Sequence, residues 1–198
     1  MKDNINKLNI FGEVRELNRV SAIAFCAVML ERQLVNFELF CSLNDFEGNE
    51  QMVKALNQVW LAFEAAQQRK KFTTNTSLLR DKVEVVTPDA NDFDNFGVYP
   101  AIDCSMAMVA TLNLIDREDD AGAVAVSKLS QGSVEAVILA TEGEIDNQQI
   151  KQHPLMQREI AFQLQLLTTL DQQDIDTKGL KALAQEDGAS NIGIEFSE

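Results

Sequence analysis

Apolar residues recur at spacings of three and four along most of this chain, the period of a helix face rather than of a strand. The clearest case runs through Val20, Ile23, Ala27, Leu30, Leu34, Phe37 and Cys41. Phe25, Val28, Met29, Val35, Leu39 and Phe40 widen that seam until most of the helix girth is apolar. Such a helix belongs at the centre of a bundle, and the spacing predicts it over about 18–43. Asn44-Asp45 and Gly48-Asn49 end it.

Similar patterns flank it. Residues 4–17 carry a weak stripe of Ile5, Leu8, Phe11, Val14 and Leu17 that contains Gly12. Met52, Leu56, Val59, Phe63 and Ala66, with Trp60 beside them, predict a second long helix over about 50–69. The polar run Thr73 to Ser77 reads as a loop ending in an N-cap. The short helix that follows, about 77–86, is stopped by Pro88. Pro100 suits a first helical position, and Ile102, Met106, Val109 and Ala110 carry that helix to about Arg117. Asp119-Asp120 lead into a helix of mostly small residues, where Gly132 implies close packing against it. His153-Pro154 starts a helix to about Gln172, and Asp176-Thr177 opens a last one that Gly188 closes. The tail Asn191 to Phe196 predicts an extended arm laid on the bundle, since one short strand has nothing to pair with. The expected architecture is a single all-α domain spanning 1–198, an up-and-down bundle of about six or seven helices with no significant sheet.

Composition agrees. Nine Gly and three Pro in 198 residues are too few turn formers for a β-rich domain. The net charge is -14, and residues 133–198 hold 12 acidic against 4 basic groups. That field repels phosphate backbones, so nucleic acid is not an expected partner. The one basic run, Arg69-Lys70-Lys71, reads first as a complement to a helix C-terminus and second as a docking patch. Cys26, Cys41 and Cys104 include no CxxC pair and sit among apolar neighbours, which fits small buried hydrophobes in a reducing cytoplasm. The longest uninterrupted apolar run, Ala22 to Leu30, is too short to span a bilayer, so no membrane association is expected.

Counting excludes most catalytic sets. One histidine cannot build a di-iron site, nor a zinc site that needs paired His, and no phosphate-binding glycine loop or nucleophile elbow occurs. His153, just before a proline at a helix start, reads as a cap or surface residue. Asp92, Asp94, Gly97 and Asp103 fall at EF-hand positions one, three, six and twelve. However, Phe96, Tyr99 and the helix start at Pro100 break the match, and neither a metal nor another cofactor is expected.

Two candidate sites remain. Asp92 to Asp103 combines three carboxylates with Phe93, Phe96, Tyr99 and Gly97 in the one long irregular segment, where binding residues tend to sit. The competing reading has all three aromatics stapling the loop to the core. Glu31 interrupts the apolar central helix. It either turns inward to form a carboxylate site with Asp103 and Tyr99, or pairs with a cation such as Arg32 or one on a neighbouring helix.

One set of segments also carries a family resemblance: Phe25-Cys26, Glu31-Arg32, Phe40-Cys41, Trp60, Asp92-Phe93-Asp94 and Val126-Ser127-Lys128. Most specific are Gly97-Val98-Tyr99-Pro100-Ala101-Ile102-Asp103 and Ser190-Asn191-Ile192-Gly193-Ile194. From about residue 17 onward the chain resembles the YjaG-like bacterial proteins, which implies an all-α cytoplasmic protein and brings no activity with it. The expected function is a non-enzymatic helical module that binds another protein or itself, with a small-molecule site near Glu31, Tyr99 and Asp103 as the alternative. Homodimerisation through helix faces is expected because Leu155, Phe162, Leu166 and Leu170 look like more apolar stripe than one core needs.

Overall fold

Asn18 sets the start of the central helix: its side chain accepts the Ser21 N–H at 3.1 Å, replacing a partner that the first turn lacks. In this computed structural model, which describes residues 3–172 and 176–195 with side chains from residue 10 onward, that helix is α2 (Arg19–Asn44). Every residue from Ala22 to Leu30 is buried. Asp45, in the left-handed region at φ 51°, turns the chain at its end.

Among the described residues eight further helices surround or extend it: α1 (Asp3–Glu16), α3 (Asn49–Gln67), α4 (Thr76–Val85), α5 (Val98–Asp116), α6 (Gly122–Glu142), α7 (Asn147–Gln152), α8 (Pro154–Leu170) and α9 (Thr177–Gln185). The helices α3, α5, α6, α8 and α9 all pack on α2, and the buried residues form one contiguous cluster. The described residues are thus an all-α bundle with α2 at its centre. By length and composition α2, α5 and α6 could each cross a bilayer, which a count of uninterrupted apolar residues does not reveal. In this fold 78% of the apolar window of α2 is buried, so its composition is accounted for by packing.

Local departures from the expected pattern have plain causes. The six-residue α7 has no apolar stripe and exists because Asp146 and Gln149 form a reciprocal capping box. Pro100 occupies the third position of α5 rather than the first, still within the turn whose N–H groups have no helical partner. The stripe on α8 is not surplus. Phe162, Leu166 and Leu170 are buried against neighbours within the chain, which removes the ground for expecting a dimer through that face. The tail is not an extended arm. Ala189 pairs with Glu195 across a turn, Ser190 N–H donates to Ile194 O at 2.7 Å, and Gly193 at φ +87° makes the reversal. Phe196 of the expected arm lies outside the described residues, as do the side chains of Ile5 and Leu8.

Close helix approach occurs at a different glycine from the expected one. A Cβ on Gly122 would lie 2.5 Å from Ala110 O and 2.8 Å from the Leu114 Cβ, so α5 and α6 converge there. A Cβ on Gly132 would meet nothing within 4 Å, because that position faces outward. The replacement Gly122→Ala is therefore expected to destabilise by about 1–3 kcal/mol through overpacking. Gly132→Ala is expected to stabilise by up to about 1 kcal/mol through helix propensity. Urea denaturation of the two variants checks the opposite signs.

Candidate functional site: an open groove between α5 and α6

The loop before α5 is stapled at one point and open beyond it. Asp89 accepts the Asn91 N–H at 2.9 Å and turns a short 3-10 segment, Ala90–Asp92. Phe93 then enters an aromatic cluster, 4.9 Å from the Phe40 ring and 5.8 Å from Phe46, in edge-on geometry. The Asn95 side-chain amide donates to Asn44 Oδ1 at 2.6 Å, tying the loop to the end of α2. Of the three aromatics, Phe93 alone is the staple. Phe96 and Tyr99 stack against each other at 5.8 Å on the outside, with Tyr99 52% exposed.

These two rings begin a groove of about 580 Å³ whose walls also include Asp103 from α5 and Lys128, Leu129, Gly132 and Ala136 from α6. Tyr99, Asp103 and Met106 follow one helical face, and Met106 on α5 and Leu139 on α6 are exposed apolar residues. Asp103 is the half-buried polar element of the wall. Its Oδ2 accepts from Ser133 Oγ at 2.6 Å, and burial raises its carboxyl above the ordinary range while that hydrogen bond partly offsets the shift. Asp92 and Asp94 are exposed and lie on the loop leading to the groove, not in its walls.

Glu31 does not join them. It accepts from Trp60 Nε1 at 2.6 Å and lies 3.7 Å from Lys181 Nζ, whose cation also sits 5.3 Å from the Trp60 ring. The structure therefore separates the expected trio: Tyr99 and Asp103 share the groove, while Glu31 pairs with the neighbouring helix α9. His153 caps α8, its Nδ1 accepting the Leu155 N–H at 3.2 Å. The three cysteines are free and buried, with the thiols of Cys26 and Cys41 pushed up to about 12 and about 11 by burial, so neither is a ready nucleophile.

A second polar assembly is hidden in the core. Arg32 and Glu159, both 0% exposed, face each other with Nη2 and Oε2 3.8 Å apart. Ser130 Oγ and Gln163 Nε2 each donate to Glu159 Oε1 at 2.7 Å. The Arg32 guanidinium lies 3.6 Å from the Phe162 ring centre and 3.3 Å from Asp187, which Arg158 clamps from outside. Asn191, from the tail turn, donates to Ser130 Oγ at 3.1 Å and accepts from Asn36 at 2.8 Å. Burial raises the Glu159 carboxyl, and Arg32, Ser130 and Gln163 pull it back. In the sequence, the adjacency of Glu31 and Arg32 suggested a local pair. The signal for the actual partner was the polar spacing Glu159-x-x-x-Gln163 inside an apolar helix.

Fold and groove together define a class of acidic all-α bundle built on one buried central helix. The profile described as "Protein of unknown function (DUF416)" matches residues 9–195, and the chain belongs to that family. The match starts earlier than the resemblance seen from residue 17, taking in most of α1. An uncharacterized protein of Haemophilus influenzae is 33% identical, covering 96% of this chain and 98% of its own length. The protein YjaG of Escherichia coli is 31% identical over 89% and 91% of the two chains. The crystal structure of a DUF416 family protein from Shewanella baltica superposes with a TM-score of 0.83 at 27% identity, covering 94% of this chain and 98% of that one.

Two predictions follow from the buried groups. Replacing Arg32 by Met, or Glu159 by Gln, is expected to cost about 3–5 kcal/mol because each strands the other group; replacing both together costs less than the sum. Chemical denaturation in a double-mutant cycle measures this. The Asp103 carboxyl has a raised folded pKa, so the native state holds its proton longer than the unfolded chain. Stability is then lost as pH rises from the ordinary carboxylate range through the folded value. Asp103→Asn keeps the Ser133 donor satisfied and removes that loss. Its melting temperature is expected to gain on the parent as pH increases over this window, measured by calorimetry at a series of pH values.

Proposed function

We propose that this protein is a helical interaction module whose working surface is the α5–α6 groove. The observation that carries the reading is the outward-facing floor at Gly132, open within the chain and lined beside it by the exposed Phe96 and Tyr99. An apolar strip with a narrow floor is what an amphipathic helix lays its own face into. Asp103 in the wall is matched by Lys128, while Asp92 and Asp94 on the approach favour an occupant with basic flanks, and the -14 net charge steers such a partner in.

Binding rather than catalysis is supported by where the reactive groups lie. Glu31 is committed to Trp60 and Lys181, His153 to a cap, Glu159 to Ser130 and Gln163, and the thiols to the core. The reading assigns the protein to the cytoplasm, supported by three cysteines that stay unpaired. The test is a photo-crosslinker placed at Ala136, followed by mass spectrometry of the captured segment. The expected product is one amphipathic helical segment with basic flanks, lost in Gly132→Arg, which fills the groove without touching the core. Crosslinks to the chain itself, together with a 44 kDa species in light scattering, would replace the partner by a second copy. Scattered products unaffected by Gly132→Arg would refute the groove.

A further inference from the structure

The bundle carries a concentration of positive charge that the groove does not use. A pocket of about 460 Å³ lies where the N-terminus of α2, the C-terminus of α3 and the C-terminus of α5 meet. Arg19, Arg69, Lys70, Lys71 and Arg117 all line it. The chain holds 17 Lys and Arg in 198 residues, so five around one pocket of thirteen residues is a gathering that its composition does not explain.

Helix ends explain part of it. Arg19 donates to Leu114 O at 2.8 Å and also to Ile115 O, closing the C-terminus of α5. The C-terminus of a helix carries about half a negative charge, so one guanidinium covers it. With a second cation allotted to the C-terminus of α3, three of the five remain in excess. Among the described residues Arg69, Lys70, Lys71 and Arg117 form no ion pair with a carboxylate, and all four are exposed. The pocket's own carboxylate, Asp116, has Oδ1 taken by Thr76 Oγ1. Arg69 and Arg117 both adopt left-handed backbone, at φ 53° and 64°, a conformation uncommon for a long side chain, at the two helix ends that border the pocket. Burial, and then the charge of Arg117, pull the Arg19 guanidinium below its ordinary range, with Asp120 and Asp116 opposing. Five cations thus share this pocket with one lining carboxylate, Asp116.

The same pocket has an apolar part, to which Val20, Ile23, Ala62 and Phe72 contribute. A single carboxylate would leave most of this charge unmatched. We infer that the pocket binds a small phosphate ester carrying two or more negative charges, its phosphoryl group held by Arg117, Lys70 and Lys71 and its body against Ile23 and Phe72. Its volume is that of a small-molecule site, and Arg and Lys are the side chains that recognise phosphate.

Isothermal titration at low salt with inorganic phosphate, pyrophosphate and AMP tests this on the intact chain. Saturable one-to-one binding of AMP, tighter than inorganic phosphate, is expected. The exposed double variant Lys70→Glu/Lys71→Glu should weaken it at least about tenfold with an unchanged circular dichroism spectrum. Lys70→Arg/Lys71→Arg should retain it. If the cations serve only the helix ends, the charge-reversed variant melts lower and no probe binds, which overturns the proposal. Binding that the reversal leaves intact overturns the assigned residues, and AMP no tighter than inorganic phosphate overturns the ester body. Sedimentation with phosphatidylglycerol vesicles while the soluble probes fail to bind would overturn it in favour of a membrane surface.

Discussion

A guanidinium with no exposed surface lies inside the central helix, and the arrangement of the bundle follows from what that charge requires. Burying an ion costs several kcal/mol unless its surroundings answer it. Arg32 is answered by Glu159 and the Phe162 ring from α8 and by Asp187 after α9. Glu159 in turn needs Ser130 of α6 and Gln163. The relative placement of α2, α6, α8 and the tail turn is specified by these few directional contacts. The apolar residues around them supply most of the burial and little of the register, since they interchange more freely.

The same division separates what the sequence revealed from what it hid. The 3–4 apolar spacing locates α2, and the expected span of 18–43 differs from Arg19–Asn44 by one residue at each end, because Asn18 is a strong cap and Asp45 accepts a left-handed conformation. Periodicity is a local property, and long helices display it many times over. α7 escaped because six residues held by a capping box carry no periodic signal. The tail was misjudged for a related reason. Its function is to bring Asn191 to Asn36 and Ser130, a contact between distant residues that alternation cannot show.

Of the candidate site residues, Tyr99 and Asp103 share a groove because they are four apart on one helix, which is readable from spacing. Glu31 was grouped with them only because it is an acid in an apolar helix. Its actual direction depends on α3 and α9, whose approach no local pattern encodes. Gly132 shows the converse error. A glycine in a small-residue helix suggests contact, and the structure uses it to keep a surface open, while Gly122 makes the contact.

The tail turn has a consequence in time as well as in space. Arg32 and Asn36 meet Asp187 and Asn191 across 155 positions of chain. During synthesis at about 5–20 residues per second, α2 therefore emerges many seconds before the groups that neutralise and cap its interior. Until then its apolar face carries a charge that cannot be buried without loss, which favours a loose, hydrated intermediate over a premature dry core. The turn that supplies Asp187 and Asn191 is among the last parts of the chain to be made, so the partners of Arg32 and Asn36 arrive only when synthesis is nearly complete.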